Sequence, residues 1–346
     1  MIEIFTATTD WSKIYDKFRN LDVYYSQEYV IASAEIEPQS IPLAIYYETI
    51  DARVWYPFLL RTIPGWMDKK DIVTPYGYGG PHLEGNPERI KDFYREFYQG
   101  FCKEENIVTE TLRLHPLTEN HVTLEQVIEV VPVRKTIAVD LLLPYDEILS
   151  GYSTNCRRNI QRSINKYGLT FEEKKGEEAI EIFTALYYQT MDRRDADQKY
   201  YFSREYFETM MQENPLCQPL MVFGYYEGQP ISGHLILMGH RYAHAHLQGS
   251  NDDYLFVGPN HAMINYSVLK SKDAGLEKLH LGGGFREGDG IYQFKESFNK
   301  KSSSLFYLGK HILNNNAYQE IVESLSVNPE DYPDFFPIYR HPDVNK

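Results

Sequence analysis

Residues 220–248 read LMVFGYYEGQPISGHLILMGHRYAHAHLQ. The segments 220–226, 230–238 and 242–248 are rich in β-branched and aromatic residues. Glu227-Gly228 and Gly239-His240 fall between them as turn pairs, so the stretch predicts three antiparallel strands. Working outward, Pro259 suits the first position of a helix reaching Asp273, and Gly275 ends it. Residues 278–281 predict a strand running into Gly282-Gly283-Gly284, residues 291–298 a short helix, and residues 304–308 a last strand. Upstream, a strand over 136–143 closes at Pro144, and a basic helix over 155–167 stops at Gly168. A strand over 169–173 follows. The next helix, over 177–192, puts Ile180, Phe183, Leu186 and Tyr187 on one face, and a further helix begins at Ser203.

The first half has a shorter version of the same grammar. It predicts a helix over 11–18, paired strands over 42–47 and 53–61, and the Gly/Pro loop TPYGYGGP over 74–81. Asn86-Pro87 opens a helix to about Glu105 that carries Phe93, Phe97 and Phe101 at intervals of four. A strand over 110–114 ends at His115-Pro116. The fold class expected is α/β (α+β), with mixed, mostly antiparallel sheets flanked by helices. The expected organisation is an N-terminal subdomain over 1–143, a C-terminal subdomain over 144–318, and an irregular tail over 319–346.

Composition narrows the function classes. The chain has 346 residues, with 35 Lys plus Arg against 49 Asp plus Glu, a net charge of −14. A general nucleic-acid coat carries the opposite sign, so DNA is not an expected partner. The three cysteines, Cys102, Cys156 and Cys217, lie far apart and form no CxxC pair, which argues against a zinc knuckle or a disulfide framework. The acidic start MIEIFTATTDW does not read as a signal peptide, and no run reaches the ~20 apolar residues of a membrane span. The expected location is the cytoplasm. The sequence leaves the oligomeric state open.

Two stretches carry a family resemblance. One is Ser153-Thr-Asn-Cys-Arg157-Arg158-Asn-Ile-Gln-Arg162, ahead of Lys166-Tyr-Gly168. The other is His280-Leu-Gly-Gly-Gly284 followed by Asp289-Gly-Ile-Tyr-Gln-Phe294-Lys295-Glu-Ser-Phe298. With the TPYGYGGP loop, they resemble the Fem-type (FemABX) peptidyltransferases and their GNAT-like acyltransferase relatives, over about residues 24–318. The order of predicted elements in the second half is also that of the GNAT fold. The resemblance implies two GNAT-like subdomains, with the active cleft in or beside the second, and transfer of an amino acid from aminoacyl-tRNA to an amine on a peptidoglycan precursor. Residues 176–215 have room for two ordinary helices only, which is similar to members lacking a tRNA-facing helical arm.

The resemblance assigns Phe294 and Lys295 to the active region. Acyl transfer to an amine passes through a tetrahedral oxyanion, which a fixed ammonium at Lys295 would stabilise. The structural alternative is a surface lysine snorkelling beside two core phenylalanines. Arg157, Arg158 and Arg162, with Lys166, concentrate positive charge suited to phosphates, or else form a solvated helix face. Arg193 and Arg194 are a second basic point, diluted by Asp195 and Asp197. His246 and Gln248 are candidate cleft contacts; His244 and His246 share a strand face, but no acid or thiol follows nearby to complete a metal site, and no metal is expected. Tyr76 and Tyr78 offer platforms on the Gly-rich loop, and Arg113 and His115 end the next strand. Cys156, near a helix start and followed by Arg157 and Arg158, has the surroundings that favour a thiolate, though no histidine pairs with it.

The leading expectation is an aminoacyl or acyl transferase that builds an amide on a cell-envelope precursor. It needs no resident cofactor, since aminoacyl-tRNA or acyl-CoA enters as co-substrate. One alternative is an acyl-CoA-dependent N-acyltransferase acting on an amino sugar or nucleotide sugar. Another, of a different class, is a non-catalytic glycan- or peptide-binding module. Asp252, Asp253 and Pro259 stand where a CoA pyrophosphate would need backbone amides, which argues against the CoA donor.

Overall fold

Phe93, Phe97 and Phe101 form the stack that their spacing predicts. Their ring centroids follow at 5.5 Å and 5.7 Å, with planes 9° and 7° apart. The helix carrying them is α only from Arg89 to Phe97; a π-turn over Tyr98–Cys102 takes it on to the third ring. The computed structural model describes residues 2–344 except 38, 287, 302, 326, 327 and 334.

In chain order the elements are β1 (Ile2–Thr6), α1 (Ser12–Tyr15), α2 (Gln27–Ile36), β2 (Ile41–Glu48), β3 (Ala52–Ile63), β4 (Trp66–Val73), β5 (His82–Gly85), α3 (Arg89–Phe97), β6 (Ile107–Arg113), α4 (His121–Leu124) and β7 (Glu129–Asp140). Then follow α5 (Tyr145–Gly151), α6 (Thr154–Gln161), β8 (Thr170–Lys174), α7 (Glu177–Arg193), α8 (Arg204–Met210), β9 (Gln218–Tyr226), β10 (Gln229–Met238) and β11 (Tyr242–Ser250). The last are α9 (Pro259–Asp273), β12 (Lys278–Gly283), α10 (Gly290–Glu296), β13 (Ser303–Ile312) and α11 (Asn315–Ser324). The protein is a mixed α/β fold with mostly antiparallel pairing.

The chain forms two units. Unit 1 is Met1–Arg19, Tyr29–Val133 and Phe306–Lys346; unit 2 is Asn20–Glu28 and Arg134–Leu305. The expected border after residue 143 therefore falls instead between Val133 and Arg134, inside β7. No turn residue marks it, because β7 continues unbroken through the change of unit. The expected separate tail also differs. Tyr339 is buried in a unit 1 cluster with Ile63, Val108, Ala317 and Ile321, so the C-terminal segment is part of that unit's core.

In unit 1 the strands run in the order β1-β2-β3-β4-β6-β13, with β5 also paired to β3. The β4–β6 pair is parallel. Strand β4, WMDKKDIV, is too polar to read as a strand; Arg61 and Arg340 make its burial tolerable. Asp71 on β4 is fully buried and takes hydrogen bonds from Arg61 Nε at 3.0 Å and from Arg340 Nε at 2.8 Å and Nη2 at 2.9 Å.

In unit 2 the order is β7-β12-β11-β10-β9-β8. Alternate residues of β9 and β10 point to opposite faces. Gly233 lies against Phe183 of α7 on one face, while His234 meets Ser267 of α9 on the other. Gly249 on β11 allows close approach to α7: a Cβ there would lie 2.5 Å from the Tyr187 nitrogen. The β11–β12 pair is parallel and pairs only Tyr242–His244 with Lys278–His280 among the described residues. Strand β11 continues to Ser250, and its ladder with β10 shifts register so that His246 is the extra, bulged residue. The two parallel strands therefore part at the histidines.

Candidate active site

Helix α10 starts from Asp289. Its carboxylate takes the backbone N–H of Tyr292 at 2.7 Å, of Phe285 at 2.6 Å and of Arg286 at 2.8 Å. Burial alone would raise the Asp289 pKa, but these backbone donors hold it below the usual carboxylate range. One turn into the helix, Lys295 is half-buried and its Nζ donates to the Gly283 carbonyl at 2.8 Å. Gly283 is the last residue of β12, so the ammonium sits at the end of the strand that parts from β11. Desolvation first, then the Arg194 guanidinium, bring the Lys295 pKa down to about 8, with Asp289 opposing them. Lys295 is therefore cationic at neutral pH and gives up its proton more readily than an exposed lysine.

Phe294 and Phe298 anchor this helix. The Phe294 ring lies 4.8 Å from His261 at the start of α9, and Phe298 is buried 5.2 Å from Tyr152. Burial pushes His261 down to about 4. The start of α6 ties in as well, since the Ser153 N–H donates to the Ser297 carbonyl at 2.8 Å.

The other expected contacts in unit 2 are placed as follows. Arg157 donates to the carbonyls of Leu149, Ser150 and Tyr152 at 3.1, 3.3 and 2.7 Å, closing the end of α5. Arg158 is exposed and bonds Asn155 at 2.6 Å. Arg162 donates to the Phe256 carbonyl. The basic helix is not one straight α-helix: a π-turn over Arg162–Lys166 changes its register. Arg193 pairs with Asp252 and reaches the Ser250 hydroxyl at 3.2 Å. Gln248 donates to Asn260 at 3.3 Å. His246 shares a 2.7 Å hydrogen bond with Tyr206, and burial first, then His244 and His234, push its pKa down to about 3. Cys156 is buried, and desolvation raises its thiol to about 11, so the thiolate suggested by its neighbours does not form at neutral pH.

Tyr76, Tyr78, Arg113 and His115 belong to unit 1. The Tyr76 carbonyl accepts from Tyr29 at 2.5 Å, and the Tyr78 ring lies 5.4 Å from Phe306. The Arg113 backbone bonds the Thr74 hydroxyl at 3.0 Å and takes the Gly79 N–H at 2.8 Å, so its strand braces the Gly-rich loop. His115 is buried, and its Nδ1 accepts the backbone N–H of Leu117 at 3.1 Å.

Sequence reading missed Asp22 and Tyr24. Asp22 sits 2.7 Å from His244 Nε2, and the Tyr24 hydroxyl 3.0 Å from His244 Nδ1, both within unit 2. Asp22 did carry one local signal, as the cap of the 3₁₀ turn Val23–Tyr25. Nothing near it in sequence points to a histidine so far downstream.

Residues 150–296 match the family described as acetyltransferase (GNAT) domain. The solved structure of FemX is 12% identical and superposes with a TM-score of 0.69, covering 92% of this chain and 99% of its own. A protein of unknown function from Bacteroides thetaiotaomicron gives 0.58 at 12% identity, covering 90% and 99%. The C-terminal domain of a putative lysylphosphatidylglycerol synthetase from Agrobacterium fabrum gives 0.55 at 13% identity, covering 83% and 88%. No curated protein sequence matches. The fold is GNAT-like.

Proposed function

We propose that this GNAT-like protein is an acyltransferase that forms an amide on an amine of a cell-envelope precursor of the peptidoglycan type, with aminoacyl-tRNA as the donor. The observation that carries the reading is Lys295, held by α10 against the end of β12 where β11 and β12 part. In the reaction the acceptor amine attacks the aminoacyl ester carbonyl. The Lys295 ammonium meets the negative charge that develops on the carbonyl oxygen. That attack forms the C–N bond, and collapse of the intermediate breaks the ester C–O bond as the amine's proton passes to the departing ribose oxygen. Phe294 and Phe298 hold the lysine's helix in place, so the stabilising charge needs little reorganisation.

The likeness to FemX supports the donor and acceptor classes, and the synthetase domain's name also describes an aminoacylated product. A CoA donor is disfavoured at the start of α9. Gly258 caps that helix at φ 73°, Pro259 removes an amide at its first position, and the acids Asp252 and Asp253 sit on the preceding turn. The test incubates the protein with a muropeptide-bearing precursor and either charged tRNA or acetyl-CoA, and reads products by mass. Amide formation from charged tRNA, lost in Lys295→Ala, supports the reading. Product from acetyl-CoA alone overturns the donor and moves the function to N-acetylation. No product from either, with the precursor still bound, makes the protein a binding module.

A further inference from the structure

Away from Lys295, unit 2 presents apolar and cationic side chains together. The 3₁₀ turn Asp252–Val257 exposes Leu255 at 41% and Phe256 at 50%. Phe256 lies against the π-turn at the end of α6: its carbonyl takes the Arg162 guanidinium, and its ring lies 5.6 Å from Tyr167. That π-turn exposes Ile164 at 39%, with Arg158, Arg162 and Lys166 also exposed along the same stretch. Asp252 is paired with Arg193, and Asp253 and Glu227 are the other exposed acids on the neighbouring turns, so the patch stays cationic.

Exposed aliphatic and aromatic tips set among Arg and Lys are the chemistry of the membrane interface. The apolar tips enter the headgroup boundary while the cations meet lipid phosphates. A single-stranded nucleic acid needs open aromatic faces for its bases. The patch fits that poorly: Leu255 and Ile164 cannot stack, and Phe256 meets Tyr167 at 74° and Tyr226 at 89°. We propose that Leu255, Phe256 and Ile164, with Arg158, Arg162 and Lys166, dock the protein on an anionic lipid surface. The inference goes beyond acyl transfer and does not depend on the donor. The chain's net charge of −14 opposes approach to such a surface, so docking is weak, reversible and sensitive to salt.

The test is co-sedimentation with vesicles of phosphatidylcholine alone or mixed equally with phosphatidylglycerol. Wild-type protein should pellet with the mixed vesicles at low salt and stay in solution with phosphatidylcholine. Arg158→Gln with Lys166→Gln should weaken binding about fivefold per residue, and Leu255→Ser with Phe256→Ser should abolish it. All these sites are exposed, so thermal unfolding should not change. A Phe256→Trp variant should show blue-shifted emission on the mixed vesicles only. The proposal is overturned if wild-type protein ignores the mixed vesicles, if the variants bind them as well as wild type, or if the emission of the Phe256→Trp variant does not move. Loss of binding to tRNA without loss of vesicle binding in the charge variant would assign the cations to nucleic acid and overturn it too.

Discussion

The carboxylate of Asp22 lies 2.7 Å from Nε2 of His244, although the two residues are 222 apart in sequence. Both are buried, and the Tyr24 hydroxyl meets the other imidazole nitrogen at 3.0 Å. A carboxylate only accepts, so Nε2 carries the proton towards Asp22. This pairing fastens Asn20–Glu28 to β11 at the residue where β11 and β12 stop pairing.

Asp22→Ala should therefore loosen unit 2. It strands the His244 N–H in a buried place and removes the cap on Val23 at 2.9 Å. The expected loss is about 1–3 kcal/mol, read by urea unfolding. Asp22→Asn, which keeps an acceptor, should lose less. Equal stability for all three proteins would show that the hydrogen bond contributes nothing net.

Lys295→Ala should lower turnover by about 10²–10³ with little change in substrate affinity, the scale for one oxyanion donor. Lys295→Arg should rescue only partly, because the guanidinium is longer and planar. The working form is the ammonium, so kcat should fall as pH rises through about 8. Arg194 helps to depress that pKa, so Arg194→Gln should move the alkaline limb to higher pH. A limb that stays in place would mean another group titrates there. A loss in affinity with turnover intact would make Lys295 an anchor.

His234 is buried against Ser267 at 2.7 Å, and burial first, then Lys295, hold its pKa near about 3 in place of 6.5. Between those values the unfolded chain binds the proton and the folded chain does not. Stability is therefore full above pH 6.5 and declines as pH falls towards about 3. His246 acts in the same direction. His234→Gln should flatten the fall in unfolding free energy on acidification; an unchanged slope would rule out His234 as a source.

Asp71→Ala should be the most damaging change in unit 1. It leaves Arg61 and Arg340 facing a buried site without their shared carboxylate. The expected loss is about 3–5 kcal/mol, read by thermal or urea unfolding. A loss under about 1 kcal/mol would mean the guanidiniums find water instead.

Local signals made much of this protein legible. The alternation and turn pairs of residues 220–248 correspond to β9, β10 and β11, and Pro259 and Asp273 are the observed ends of α9. The Phe-Lys helix lies where its spacing put it, because Asp289 caps it and two aromatic rings bury its side. These features depend on residues a few positions apart, whose propensities and periods the sequence displays directly. Tertiary structure alone decided the rest. The charged β4 became a strand because Asp71 meets Arg340, 269 residues later. The bulge that singles out His246 arises from the β10–β11 ladder, and the depressed Lys295 pKa from burial beside Arg194. Such effects depend on which distant groups the fold desolvates together, and no local pattern of residue types encodes that proximity.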